Sequence, residues 1–326
     1  MKKRILSGMR PTGKLHLGHL VGALDNWVKF QEEYDCFFMV ADWHALMGEY
    51  EDPSRLSEYA LDNVIDWLSV GIDPAKSTLF VQSQVPQHLE LNMIFSCFVP
   101  LGWLERCPTY KEQLREVKSR DLHTYGFLGY PVLQAADILL YKADAVPVGE
   151  DQLPHLELTR EIGRRFNSIY QKELFPEPKA LLTESPRLLG LDGRKMSKSY
   201  DNTINLSDSE DIIKKKTGMM FTDPKRIKLS DKGHPETCNV FSYYKLFVPP
   251  AAKDVQDYCT NAKAGCTECK QRLAAALVEK LKPFHQKRAE LLEDQGRVMK
   301  ILEDGRLRSS GVAAGTIKEA REAMKL

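Results

Sequence analysis

The chain has 326 residues, 43% of them hydrophobic, and a formal net charge of +1, which suits a large core spread over two domains. A balance this close to neutral gives no bulk pull toward nucleic acid, although a local basic face would still serve for RNA. Met1-Lys2-Lys3-Arg4 precedes no long apolar region, and no stretch approaches the roughly 20 apolar residues of a membrane span, so a cytoplasmic protein without leader or anchor is expected.

In chain order, Arg4–Met9 reads as a buried strand and Arg10-Pro11-Thr12-Gly13 as a turn. Apolar residues at Leu17, Leu20, Val21, Leu24, Trp27 and Val28 then mark one face of a helix over His16–Glu33. Further strands are predicted at Cys36–Ala41, Thr78–Gln82 and Ala145–Val148. Helices are predicted at Pro53–Val70, His88–Val99, Tyr130–Leu140 and Asp151–Asn167. Glu112–Thr124 is charged and poorly patterned, and reads as an inserted mobile region. Beyond Tyr200 only helices are predicted, at Ser209–Met219, Pro250–Ala262, Lys270–Asp294 and Thr316–Met324. Strand–helix alternation gives the fold class as α/β. Residues 1–190 should form a Rossmann-like parallel-sheet domain, and residues 191–326 an all-helical domain joined to it by a mobile loop.

His16-Leu17-Gly18-His19 opens the first helix, off its apolar stripe. Unpaired N–H groups and the positive end of the dipole favour an anion there, and Gly18 lets a ligand come near the backbone. The pair suits nucleotide phosphates; two surface histidines are the plainer alternative, and zinc lacks a third ligand nearby. Lys195-Met196-Ser197-Lys198-Ser199 follows Leu191-Asp192-Gly193-Arg194 in a polar run. Two ammonium groups on a flexible loop can close on charge that develops in phosphoryl chemistry; taken alone, such a loop is usually a solvated basic turn. Asp137 lies in an apolar helical run, where an unpaired carboxylate would be costly. It needs a donor, either a ligand N–H or a partner within the protein. Gly149-Glu150-Asp151-Gln152 follows a strand and opens a helix, which suits a ribose-binding carboxylate or simply an acidic cap.

The two strings around His16 and Lys195, in that order, resemble the signature sequences of class I aminoacyl-tRNA synthetases. Ser7–Gly13, Ala41-Asp42-Trp43-His44-Ala45, Val81-Gln82-Ser83, Tyr130–Leu139 and Val146–Gln152 are similar to the bacterial tryptophanyl-tRNA synthetases. That resemblance covers nearly the whole chain, thinning in the last third. It implies that Leu6, His44, Tyr130, Gln134, Val146 and Val148 line a tryptophan pocket, with Asp137 on the indole N–H and Gln152 near the α-amino group. ATP would lie on Arg10, Pro11 and Thr12, a floor in which many relatives carry Gln at the position of Arg10. Gly18, His19, Gly149 and Glu150 would also meet the nucleotide, with Asp151 on the ribose and Leu188 against adenine. His16 and His19 would stabilise the phosphates. Lys195, Met196, Ser197, Lys198 and Ser199 would close on the departing pyrophosphate together with Mg²⁺. The implied partners are L-tryptophan, ATP, tRNA(Trp) and a second copy of the chain in a homodimer. The implied product is tryptophanyl-adenylate and then tryptophanyl-tRNA. A tyrosyl enzyme and a nucleotidyltransferase without a tRNA substrate are the alternatives.

Of seven cysteines, Cys36, Cys97 and Cys107 fall in core-like segments and read as plain buried thiols. Cys238, Cys259, Cys266 and Cys269 are spaced C-x20-C-x6-C-x2-C in the helical part. In a reducing compartment this points to a metal site rather than disulfides. Three crowded cysteines and one distant one suit four-thiolate ligation of an iron–sulfur cluster better than the paired cysteines usual for zinc. The pattern also resembles that of a subset of tryptophanyl enzymes bearing a [4Fe–4S] cluster; Zn²⁺ and unligated thiols remain the alternatives.

Overall fold

A computed structural model describes residues 2–116, 121–182 and 188–326. Five strands, β1 (Arg4–Met9), β2 (Asp35–Val40), β3 (Ser77–Val81), β4 (Ala145–Val148) and β5 (Lys179–Leu182), form one sheet in the order β3-β2-β1-β4-β5. Every adjacent pair is parallel, with Leu6 of β1 opposite Phe37 of β2 and Ile5 opposite Ala145 of β4. The chain winds outward from β1 to β3 on one side, then returns to β4 and β5 on the other. The order therefore reverses between β1 and β4, where open parallel sheets bind their ligands. β2 and β3 carry unbroken apolar runs because helices cover both faces.

By contact the chain divides into two compact units. The sheet unit comprises Met1–Thr12, Asn26–Glu184 and Glu293–Leu326; the helical unit comprises Gly13–Asp25 and Ser185–Leu292. This grouping does not coincide with a single cut near residue 190. The core of the sheet unit gathers Phe37, Phe80, Phe95, Leu139 and Phe166 together with Ala313, Ile317 and Ala320 of the last helix, Gln295–Met324. Gly305 of that helix lies directly against β3, where a Cβ would fall within the van der Waals envelope of the Leu79 carbonyl.

β1 and β4 have the predicted bounds, and β2 and β3 are displaced by one residue. The short edge strand β5 and the helix Asp42–Glu49 were not anticipated. The His16–Glu33 segment is a turn of α-helix at Leu17–His19, a π-helical stretch at Leu20–Leu24 and an α-helix at Asp25–Glu33. The region read as mobile is helical over Pro108–Glu116, residues 117–120 lie outside the described residues, and Thr124 caps the helix Tyr125–Leu140 by accepting from the Phe127 N–H at 3.2 Å. Among the described residues, no helix is long and apolar enough to cross a membrane.

Candidate active site

In the sheet unit, Asp137 is 2% exposed within the helix Tyr125–Leu140. Its carboxylate finds its donors inside the protein. Gln82 Nε2 and His88 Nδ1 donate to Oδ1 at 2.8 and 2.6 Å, and His44 Nε2 donates to Oδ2 at 2.7 Å. Gln82 is oriented for this because its Oε1 accepts the Trp43 N–H at 3.2 Å. Burial alone would raise the Asp137 pKa, but His44 and then His88 outweigh it and hold the group below the ordinary carboxylate value. Asp137 is thus an anion at neutral pH. Behind it, the Tyr141 hydroxyl meets His88 Nε2 at 2.8 Å.

Nearby in the same unit, the Tyr130 hydroxyl donates to His155 Nε2 at 2.7 Å, and Cys107 Sγ approaches the same nitrogen at 3.5 Å. Burial lowers the His155 pKa to about 4, so its ring is a neutral acceptor, and burial also keeps the Tyr130 phenol protonated. Leu6, Val146 and Val148 are buried members of the sheet-unit core, and Gln134 is half-buried. After β4, Gly149 precedes a 3-10 turn at Glu150–Gln152 whose two carboxylates are exposed. Asp151 Oδ2 accepts from Gln152 Nε2 at 2.9 Å, and a Cβ on Gly149 would lie 2.8 Å from Asp151 Oδ1. After β1, the Thr12 N–H bonds back to the Arg10 carbonyl at 2.9 Å, leaving Arg10 exposed and Pro11 buried.

In the helical unit, His16 is the N-cap residue. Its Nδ1 accepts the Gly18 N–H and His19 Nδ1 accepts the His16 N–H, each at 3.1 Å. Each ring therefore carries its proton on Nε2. Burial and the Lys198 ammonium lower the His16 pKa to about 4; burial, His16 and Lys198 take His19 well below its usual value. These are neutral N–H donors. The open space expected above Gly18 is filled by the His16 ring, which a Cβ would meet at 2.9 Å.

The loop around Lys195 has regular backbone pairing. Gly190 bonds to Arg194 and Met196 to Leu188 across a turn in which Gly193 has φ +81°. Asn202 braces it, accepting the Ser197 N–H at 2.9 Å and donating to the Lys195 carbonyl at 3.1 Å. Leu188 and Met196 are buried, Lys195 is exposed, and Lys198 Nζ donates to the Gly13 carbonyl at 2.9 Å. Ser199 belongs to the 3-10 turn Lys198–Tyr200, and its side chain lies outside the described residues.

Each of the four spaced cysteines lies at a helix end. Cys238 precedes Asn239–Phe247, Cys259 is in the last turn of Pro249–Thr260, and Cys266 and Cys269 lie in the first turn of Cys266–Glu293. All four are partly buried and within electrostatic reach of one another; burial first, then the neighbouring thiols, push Cys269 up to about 11. A Cβ on Gly233 would collide with Cys259 Sγ, so the backbone there is pressed against the thiol. Among the described residues, no three His, Cys, Asp or Glu side chains form a group that would hold a metal ion. Of the other three cysteines, Cys36 and Cys107 are buried as expected, whereas Cys97 is exposed because it caps the C-terminal end of the helix Gln87–Ser96.

Sequence reasoning missed His88, Tyr141 and His155. For His88 a signal existed: it shares a helix face with Leu91 and Phe95, and an imidazole on a buried apolar face needs a partner.

Residues 1–282 match the family described as tRNA synthetases class I (W and Y). The chain is 53% identical to a tryptophan–tRNA ligase of Thermotoga maritima, over 99% of each chain, and 43% identical to that of Aquifex aeolicus, over 99% of this chain and 100% of the other. It superposes on the tryptophanyl-tRNA synthetase of Campylobacter jejuni, solved with ADP and tryptophan, with a TM-score of 0.91 and 35% identity over 99% of this chain and 100% of that one. Two signature strings, the parallel sheet and these full-length likenesses lead to one assignment: the chain belongs to the class I aminoacyl-tRNA synthetases and, within them, to the bacterial tryptophan–tRNA ligases.

Proposed function

We propose that this ligase selects tryptophan through Asp137. The observation that carries this reading is a buried, ionised carboxylate held by three protein donors. A carboxylate offers about four acceptor positions, so one remains, on Oδ2, for an indole N–H. Leu6, His44, Tyr130, Gln134, Val146 and Val148 would line the pocket, and Gln152 would meet the α-amino group.

The tryptophan carboxylate attacks the α-phosphorus of ATP in line, and pyrophosphate leaves. A hydroxyl of the terminal adenosine of tRNA(Trp) then takes the aminoacyl group and AMP leaves. No side chain need act as nucleophile, so positioning and charge stabilisation supply the rate. Arg10, Pro11, Thr12, Gly149, Glu150, Asp151 and Leu188 would seat the nucleoside. His16 and His19 would donate Nε2–H to phosphate oxygens as neutral imidazoles. Lys195 and Lys198 would meet the leaving pyrophosphate, with Met196, Ser197 and Ser199 shaping the loop. Mg²⁺ would be held mainly by the ATP phosphates, the usual arrangement for that ion.

Residues 1–190 would carry this chemistry, and 191–326 the Lys195 loop and the anticodon contacts. The protein would work as a cytoplasmic homodimer. Cys238, Cys259, Cys266 and Cys269 would hold a [4Fe–4S] cluster. Three crowded cysteines and one distant one, each at a helix end, are what supports a cluster over a lone Zn²⁺. The cluster would tie together the helix ends that carry the four cysteines. Anaerobically purified protein should then be brown, with about four irons per chain; stoichiometric zinc without colour would assign the site to zinc, and neither metal would leave free thiols.

ATP–pyrophosphate exchange with tryptophan and tyrosine side by side tests the central reading. Exchange should depend on tryptophan, and Asp137→Asn should remove the preference for an N–H-bearing side chain. Exchange driven by tyrosine would overturn the pocket assignment.

A further inference from the structure

Asp137 can serve as a selective acceptor only if its carboxylate cannot rotate or turn away. Rotation would exchange the satisfied Oδ1 for the half-satisfied Oδ2. Oδ1 is fixed by Gln82 and His88, and the His88 contact is the shorter, 2.6 Å against 2.8 Å. His88 is itself fully buried and touches no solvent. A carboxylate only accepts, so the proton at this contact sits on His88 Nδ1. The other ring nitrogen faces the Tyr141 hydroxyl at 2.8 Å. Burial, and then Asp137, raise the Tyr141 pKa well above the usual phenol value, so Tyr141 keeps a proton to donate. Ser309, fully buried in the last helix, neighbours Tyr141, and its hydroxyl donates to the Arg306 carbonyl at 3.1 Å. The line Tyr141–His88–Asp137 runs through the sheet-unit interior, and at its end Oδ2 of Asp137 also meets the pocket residue His44.

We propose that His88 is a positioning residue for tryptophan selection: its Nδ1–H locks Oδ1 of Asp137, Tyr141 locks the tautomer of His88, and Oδ2 is thereby kept for the indole N–H. This rests on the Asp137 reading given under Proposed function. His88 touches no substrate in this scheme. It acts on specificity, and a merely structural histidine would not.

The test is ATP–pyrophosphate exchange on the full chain with tryptophan and with β-(3-benzothienyl)alanine, in which sulfur replaces the indole N–H. His88→Leu should lower kcat/KM for tryptophan roughly tenfold or more, mainly through KM, and change the analogue far less. His88→Asn, which keeps an N–H near the Nδ1 position, should restore most of the preference. Tyr141→Phe frees the tautomer and should cost a smaller part of it, about threefold. An equal loss with both substrates in His88→Leu, or an unchanged ratio, overturns the proposal. If thermal melting shows His88→Leu unfolded, an unchanged ratio in Tyr141→Phe overturns it instead. Asp137→Asn is run in parallel: if that variant keeps the preference, the pocket reading itself fails. If it loses the preference while the His88 and Tyr141 variants keep theirs, only the positioning role fails.

Discussion

The rings of His16 and His19 lie with centroids 3.8 Å apart, tilted by 41°, and each accepts a backbone N–H of the same short turn through Nδ1. The turn thus fixes both tautomers through its own backbone, with the Gly18 N–H on His16 and the His16 N–H on His19, and both Nε2–H groups are available as uncharged donors. Gly18 is part of that device, because its missing side chain makes room for the His16 ring. Gly18→Ala should push the imidazole aside and lower the adenylation rate by about 10- to 100-fold, with tryptophan KM nearly unchanged. Pre-steady-state measurement of pyrophosphate release would check it.

Lys195 and Lys198 differ in setting. Lys195 is exposed, whereas Lys198 is tied to the Gly13 carbonyl and lowers the pKa of both histidines. Lys195→Ala should cost about 10²- to 10³-fold in adenylation kcat, as loss of one transition-state donor does. Lys198→Ala should cost a similar factor, and it should also raise the His16 pKa. Single-turnover rates and histidine NMR titrations would separate the two effects.

The buried histidines set an acid limit on stability. His16 and His155 have folded-state pKa values of about 4, below the ordinary value for an unfolded chain. Between about pH 6.5 and pH 4 the unfolded state binds more protons, so stability is complete above that window and declines as pH falls through it. Asp137, also depressed, adds a loss at still lower pH. Melting should fall by on the order of 5 °C or more from pH 7 to pH 5, and His155→Gln should flatten that dependence. The His16 ring resonances should stay at their neutral position down to about pH 5.

Gly305→Ala should destabilise the sheet unit by about 1–3 kcal/mol or more, since the added methyl meets the Leu79 backbone rather than a side chain that can swing away. A shift of the urea midpoint without a change in slope would be the expected signature.

Much of the fold was legible in the sequence because β1 to β4 are short, mostly apolar segments bounded by turns. β5 was not, since Lys179–Leu182 is a short edge strand with a partly exposed, irregular burial pattern. The two signature strings were legible as local motifs, and the structure does fold each of them into a compact turn. What could not be read was the surroundings of Asp137. Gln82, His88 and His44 reach it from three other elements, the first two some fifty residues away in sequence and His44 93. Nor does a string of residues say that both histidines stay neutral, because burial and a lysine nearly two hundred positions away decide that.

The position of the last helix governs how the chain can be made. Ala313, Ile317 and Ala320 complete the same core as strands built from the first residues of the chain. During synthesis the helical unit emerges whole before that core can close. The nascent sheet must wait with an open apolar face until Gln295–Met324 has been made and docks, a period in which chaperones and proteases compete for it. Removal of Glu293–Leu326 would leave both signature strings intact and the sheet unable to finish folding.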